Sequence, residues 1–177
     1  MSNMLHKIYP VLTGLVMTAF CVTLLSCNEF GGYSSEPLFN DEITSVYVEV
    51  FGNRTFDRGV EYELTDALAK QIEAKTPYKI VSSRDRADTV ISGYIGNVGK
   101  AVLTAERETG RSLEKELVLS AVVNWKDLRS GELLIDDKQV SAAASYSEWQ
   151  MQGSEYGSAL AANKLAKRIV EFMENPW

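Results

Sequence analysis

The sequence is short of the side chains that most often carry chemistry. It has one histidine, His6, and two cysteines, Cys21 and Cys27, all within the first 27 of its 177 positions. Everything after them lacks thiol and imidazole. That excludes Ser-His-Asp and Cys-His catalysis, Cys/His zinc sites and a disulfide framework for the bulk of the chain. Basic residues are also outnumbered, 18 against 24 acidic, and a net charge of −6 argues against a sequence-independent grip on nucleic-acid phosphates. With 4 prolines, 12 glycines and 45% hydrophobic residues, the chain is neither collagen-like nor wholly disordered. No internal repeat or low-complexity tract is visible. At about 100–200 residues per domain, the length leaves room for one domain and little else.

What is present begins with an N-terminal leader. Residues 1–10 carry Lys7 and no acid, and residues 11–25 form an almost uncharged apolar run. The run has the length of a secretory h-region and falls short of the about 20 residues of a membrane span. It ends in Leu24-Leu25-Ser26-Cys27, which resembles the lipobox of bacterial lipoproteins: a Leu at −3 and a small residue at −1 before a cysteine that is cleaved to and acylated. Residues 28–35 bring no basic stop-transfer cluster. The expected organisation is a signal peptide over 1–26, a lipidated tether over 27–42 and one folded domain over 43–177. Removing 1–26 takes away Lys7 alone among the charges and leaves −7. With Cys27 acylated, stability rests on a packed core.

Within the domain, period-2 alternation over 44–51 predicts a strand with Val46, Val48 and Val50 on one face. Val60, Leu64, Ala67, Leu68 and Ile72 form a helical stripe over about 59–74, stopped by Thr76-Pro77. Residues 78–81 and 89–102 read as strands, with Gly93, Gly96 and Gly99 marking a bulge or bend in the second. A polar loop over 104–111 leads to the strongest alternation, Leu117, Leu119, Ala121, Val123 and Trp125. A tight turn over 127–131 and a return strand over 133–146 follow. A last helix over 154–174 is expected to turn Tyr156, Leu160, Asn163, Ala166, Ile169, Val170 and Met173 inward. The order β-α-β-β-β-β-α predicts an α/β (α+β) two-layer sandwich. Its two helices pack on one face of a four- to five-stranded mixed, largely antiparallel sheet.

The reactive groups left after Cys27 are carboxylates, lysines, tyrosines, serines and threonines. Asp136 and Asp137 are neighbours on a predicted strand, so they point to opposite faces and make no acid/base pair. Glu114 and Glu116 share a face, with Arg111 and Lys115 beside them, as an exposed strand end requires. The glycines at 93–99 lack the following helix and Lys/Ser of a phosphate loop. No metal site and no cofactor are expected.

Four stretches together resemble one family. Residues 46–68 run Val-Tyr-Val-Glu-Val-Phe-Gly-Asn-Arg-Thr-Phe-Asp-Arg-Gly-Val-Glu-Tyr-Glu-Leu-Thr-Asp-Ala-Leu, a strand, an Asn-x-Thr loop and a helix. Ala87-Asp-Thr-Val-Ile-Ser-Gly-Tyr-Ile95, Trp125-Lys-Asp-Leu-Arg-Ser-Gly-Glu-Leu133 and the closing helix at 155–173 follow in order. Gly31-Gly-Tyr-Ser34 after the lipobox adds to the set. In this order they resemble the outer-membrane lipopolysaccharide-assembly lipoproteins (LptE). The resemblance implies a non-enzymatic protein, lipid-anchored at the periplasmic face of the outer membrane. It implies an LptD-like β-barrel partner, which the protein plugs and helps to assemble, and direct binding of lipopolysaccharide (LPS). The family has no strict ligand motif. The cations best placed for lipid A phosphates are Arg107, Arg111 and Lys115 around the 104–111 loop, with Lys100 opposite. Two other readings stay open: a ring-forming secretion-channel lipoprotein, whose members share the Asn-x-Thr opening, and a carboxylate-dependent periplasmic hydrolase.

Overall fold

A computed structural model describes residues 38–174. They belong to the second of two compact units, Pro37–Trp177. The expected signal peptide, Cys27 and the expected tether as far as residue 37 lie outside the described residues. The elements are β1 (Ser45–Val48), β2 (Gly52–Asn53), α1 (Val60–Lys75), β3 (Lys79–Ile80), β4 (Thr89–Ala105), β5 (Ser112–Asp127), β6 (Leu133–Tyr146) and α2 (Ser154–Glu171). Single 3₁₀ turns lie at Arg84–Arg86 and Glu148–Gln150. The α/β sandwich expected from the sequence is present. The sheet has six strands instead of four or five, in the order β3-β1-β4-β5-β6, with β2 also on β4. β1 runs parallel to β3 and β4, whereas β4, β5 and β6 form an antiparallel meander.

The extra strand comes from a break that alternation alone does not show. Val46 is fully buried, but Val50, expected on the same face, is exposed, and Phe51 is buried in its place. The chain kinks after Val48 and rejoins the sheet as β2, which moves Phe51 to the core side. Its amide donates to Thr65 Oγ1 on α1 (3.1 Å). Phe51 fits because Gly93 on β4 has no side chain. A Cβ there would run into the Val122 carbonyl oxygen and stand 2.8 Å from Phe51 Cε1.

Helix α1 buries the predicted stripe, Val60, Leu64, Ala67, Leu68 and Ile72. Helix α2 buries Ala166, Ile169 and Val170 as expected, with Met173 just beyond it, and departs from the expected face only in its first half. Gly157, Ala161, Ala162, Leu165, Ala166, Ile169 and Val170 face the core, while Tyr156 and Asn163 are exposed and Leu160 is half-buried. The small residues carry the contact. They let α2 lie close to α1 and to Ala142 and Ala144 of β6, and Gly157 meets the face of Tyr146, with Cε1 2.8 Å from where a Cβ would stand. Large apolar residues signal a helical face strongly and small ones weakly, so Gly157, Ala161 and Ala162 in the first half of α2 leave little trace in the pattern, whereas Ile169 and Val170 in the second half mark the inner face plainly.

The fold begins earlier than residue 43. Phe39 packs edge-on against Tyr78, with ring centroids 5.8 Å apart, and the Asn40 amide donates to the Tyr78 hydroxyl (3.1 Å). Asp88, just before β4, ties this end together. One carboxylate oxygen accepts from the amides and hydroxyls of both Thr44 and Ser45, at 2.7–3.0 Å. These hydrogen bonds, led by the Thr44 hydroxyl, hold the Asp88 carboxyl down at about 2.

Candidate functional site

Strands β4 and β5 outrun the helices. From residue 100 to 111 every residue is exposed, while further back Ile91, Ile95, Leu117 and Leu119 are sealed under α1 and α2. The hairpin therefore ends in a two-stranded arm. Its turn is closed by the Glu106 amide on the Arg111 carbonyl (2.8 Å) and the Gly110 amide on Glu106 (2.9 Å), with Gly110 in the left-handed region at φ 70°.

Cross-strand pairing fixes which side each residue takes. Lys100 faces Leu117 and Val102 faces Lys115, which is in turn opposite Tyr146. Leu117 and Tyr146 are core residues, so Lys100, Val102 and Lys115 lie on the helix side of the sheet. Ala101 faces Glu116, on the other side. Lys100 and Lys115 thus lie toward the helices and Glu116 away from them, while Glu106 and Glu114 at the end of the arm line the same groove as Trp149.

Beyond the end of β6, the turn Glu148–Gln150 folds back against the arm. Ser147 Oγ donates to the Leu113 carbonyl (3.0 Å), the Ser147 amide donates to Gln152 Oε1 (2.9 Å), and the Gln150 and Gln152 amides return to the Ser147 carbonyl (both 3.1 Å). This holds Trp149 beside Arg111, whose guanidinium carbon is 5.8 Å from the ring centroid, at the outer limit of a cation–π contact. Between turn and arm runs an open groove of about 560 Å³, lined by Thr104, Glu106, Leu113, Glu114, Trp149 and Gln150. Large apolar groups stand exposed around it: Trp149 at 69%, Met151 at 97%, Val102 at 55% and Leu103 at 49%. Met151 holds a left-handed backbone (φ 58°), uncommon for a side chain of its size.

Of the four cations picked from the sequence, the structure brings Arg111 and Lys115 to the turn-facing side of the arm. Arg107 is exposed at the tip. Lys100 sits one pair further back and is ion-paired with Asp57, in the connection between β2 and α1. The three leucines near them separate in kind: Leu117 is core, Leu113 lines the groove and Leu103 is exposed. The sequence reading missed the Trp149–Met151 turn. The signal was there, a Trp and a Met inside an otherwise polar loop, but nothing local tells that such a loop folds back onto a hairpin 35 residues earlier.

Asp136 and Asp137 are not simple alternating strand residues. Asp137 has φ 39°, and the β5–β6 register shifts beside it. Asn124 clasps it, accepting from its amide (2.6 Å) and donating to its carboxylate (3.0 Å). Among the described residues, no cluster of His, Cys, Asp or Glu is arranged to hold a metal ion.

The overall architecture is shared with solved structures at low identity. A hypothetical protein, CT253, from Chlamydia trachomatis superposes with a TM-score of 0.52 at 11% identity, covering 72% of this chain and 94% of that one. An uncharacterized lipoprotein B from Nitrosomonas europaea gives 0.50 at 16%, covering 73% and 81%. A PelC dodecamer subunit from Paraburkholderia phytofirmans gives 0.49 at 14%, covering 77% and 93%. At these identities the likeness to the first two speaks for the fold alone. No curated protein matches in sequence. The family model for lipopolysaccharide assembly, LptE, matches residues 43–174, a stretch that takes in every element from β1 to α2, and the chain belongs to that family.

Proposed function

We propose that this protein is a non-enzymatic lipoprotein of the bacterial outer membrane, anchored through Cys27 at the periplasmic face. In this reading it plugs and helps to assemble the β-barrel that delivers LPS to the outer leaflet, and it binds LPS itself. The observation that carries the reading is the family match across the whole domain. The arm is consistent with the last part. Its end carries exposed Trp149, Met151 and Leu103 near Arg107, Arg111 and Lys115, groups that suit a ligand joining phosphates to acyl chains, with Glu106, Glu108 and Glu114 interspersed so that the cations act one by one and not as a continuous basic patch. Lys100 contributes less, because Asp57 already neutralises it. The net charge of −6 makes any anion site a local patch and not a long-range field.

The test is isolation of the lipidated protein from outer membranes, beside a Cys27→Ala variant. The parent is expected to fractionate with the membrane and to bring down a barrel protein of LPS-transport type in one-to-one ratio. The variant should lose acylation and leave the membrane almost entirely, since two or more acyl chains anchor far more strongly than one. A ring of eight or more identical subunits would favour the secretion-channel alternative. An unchanged mass and membrane fraction for Cys27→Ala would end the lipoprotein reading.

A further inference from the structure

The free sides of the sheet are treated differently. On β6 the outward backbone is guarded. The Ser141 carbonyl accepts from the Arg168 guanidinium and the Ala143 carbonyl from Lys164 Nζ (3.1 Å), so two cations of α2 cover that edge. Further along β6, the Asp137 bulge interrupts the edge and places two acids on it. Such charges and bulges are common deterrents to strand addition. At the opposite side of the sheet β3 is two residues long, too short to template a partner.

The outer side of β4 has none of this. β1 covers it over residues 89–91 and β2 over 94–95, and there the neighbours stop, ten residues before the strand ends. The carbonyls of Ile91 and Ile95 accept from Glu49 and Arg54, so these residues turn their backbone away from β5. The extra residue at Gly96 shifts the register, after which the outward set is Val98, Lys100 and Val102. Among the described residues no backbone or side-chain hydrogen bond from another segment reaches these three backbones. The stretch has no proline, and its one charge, Lys100, is neutralised by Asp57.

We infer that the free edge of β4 from Val98 to Val102 accepts an extended segment of the barrel partner as an added strand. This rests on the barrel partnership proposed above. A second copy of the chain is the weaker occupant. In an antiparallel pairing centred on Lys100 the two Lys100–Asp57 pairs would be crowded together, four charged groups at one point. A ladder of three outward residues also buries far less than the about 1,200 Å² of a self-sufficient interface. The occupant must be held by further contacts, as a barrel enclosing this domain would provide. Wall strands of a closed barrel already have both neighbours, so the donated segment is a loop or terminal stretch of the barrel protein. Its residues on the Ala101 face meet Gly99 and Ala101, small residues backed by Val118 and Glu116 of β5, and those on the Val102 face meet Val98, Val102 and the Lys100–Asp57 pair. An uncharged, β-branched segment fits both rows.

The test is a photo-crosslinking residue placed at Ala101 in the lipidated chain, co-expressed with the barrel in its own membrane, with the same residue at Gln139 on β6 as control. The Ala101 position is expected to cross-link to a loop or terminal segment of the barrel protein, mapped by mass spectrometry. Val102→Pro removes an outward amide and no bond to β5, and should lower that yield by about fivefold. The melting temperature and the amount of barrel recovered should hold. Should Val102→Pro fail to fold, Val102→Lys makes the same test as an edge charge. Cross-links from Ala101 only to barrel wall strands, to lipid or to this chain's own N-terminal segment would overturn the inference. So would a yield unchanged in the edge variants. If the barrel is recovered but Ala101 captures nothing from it, this inference alone falls; if the parent recovers no barrel, the function proposed above falls with it.

Discussion

One hairpin contains both extremes of this molecule. At its base, β4 and β5 lie under two helices, with Ile91, Ile95, Leu117 and Leu119 at 0–1% exposure. At its far end the same two strands, in the same ladder, have every residue from 100 to 111 in contact with solvent. One antiparallel ladder, bulged at Gly96 and again after Val102, joins them, so the main difference lies in what covers the strands. An uncovered two-stranded ribbon is marginal by itself. The arm persists because the base holds its register and because Ser147 fastens the Trp149 turn against it. Stability is concentrated in one half, and the surface free to bind is concentrated in the other.

Truncation should break this contrast most sharply. Leu119→Ala, at the base, removes a fully buried side chain and is expected to cost about 2–5 kcal/mol. Leu103→Ala, on the arm, should change stability by less than about 0.5 kcal/mol. Urea unfolding of the two variants measures both. Equal costs would mean that the arm is packed against something absent from the described residues.

Much of the base was legible in the sequence, because alternation in β5 and the stripe on α1 are made of large apolar residues with a single period. What was not legible depends on contacts between distant segments. The kink that swaps Val50 for Phe51 needs Gly93 on a strand 40 residues away. The first half of the inner face of α2 is written in alanines and a glycine, whose value comes from close approach and not from hydrophobicity. The candidate site was half legible. Arg107, Arg111 and Lys115 were found by their clustering around a loop. Their separation from Lys100 and the arrival of Trp149 depend on Asp57 and Ser147, which no local pattern connects to them.

The Asp88 tie sharpens the comparison by placing a second, polar element of stability at the base. Its carboxyl lies near 2 in the folded protein against an ordinary value of 3.8. The folded state therefore favours the ionised form. The contribution is fully present above about pH 4 and is lost as pH falls through the folded value. Asp88→Asn keeps the size but loses the charge that gathers four donors onto one oxygen. It is expected to cost about 1–2 kcal/mol at pH 7. The gap to the parent should shrink as the pH is lowered from 4 to 2, followed by thermal unfolding. A gap that stays constant over that range would assign the stabilisation to shape and not to charge.

The smallest stability effect and the largest functional one should coincide at the end of the arm. Arg107 and Arg111 are both exposed, and Arg111 touches Trp149 only at the limit of a cation–π contact. Changing both to Glu should move the unfolding midpoint by no more than about 0.5 kcal/mol. Charge-assisted contacts with phosphate are worth about 1.5–3 kcal/mol each, so LPS binding by the same double variant should fall more than about tenfold. Lys75→Glu and Lys79→Glu, on exposed positions beside the base, make the matched control, since they change the net charge equally without touching the arm. A similar loss in both double variants would reduce the effect to overall charge. No loss in either would make the arm's cations ordinary solvated surface. Loss confined to the arm would show that the half of the hairpin contributing least to the fold is the half that meets the ligand.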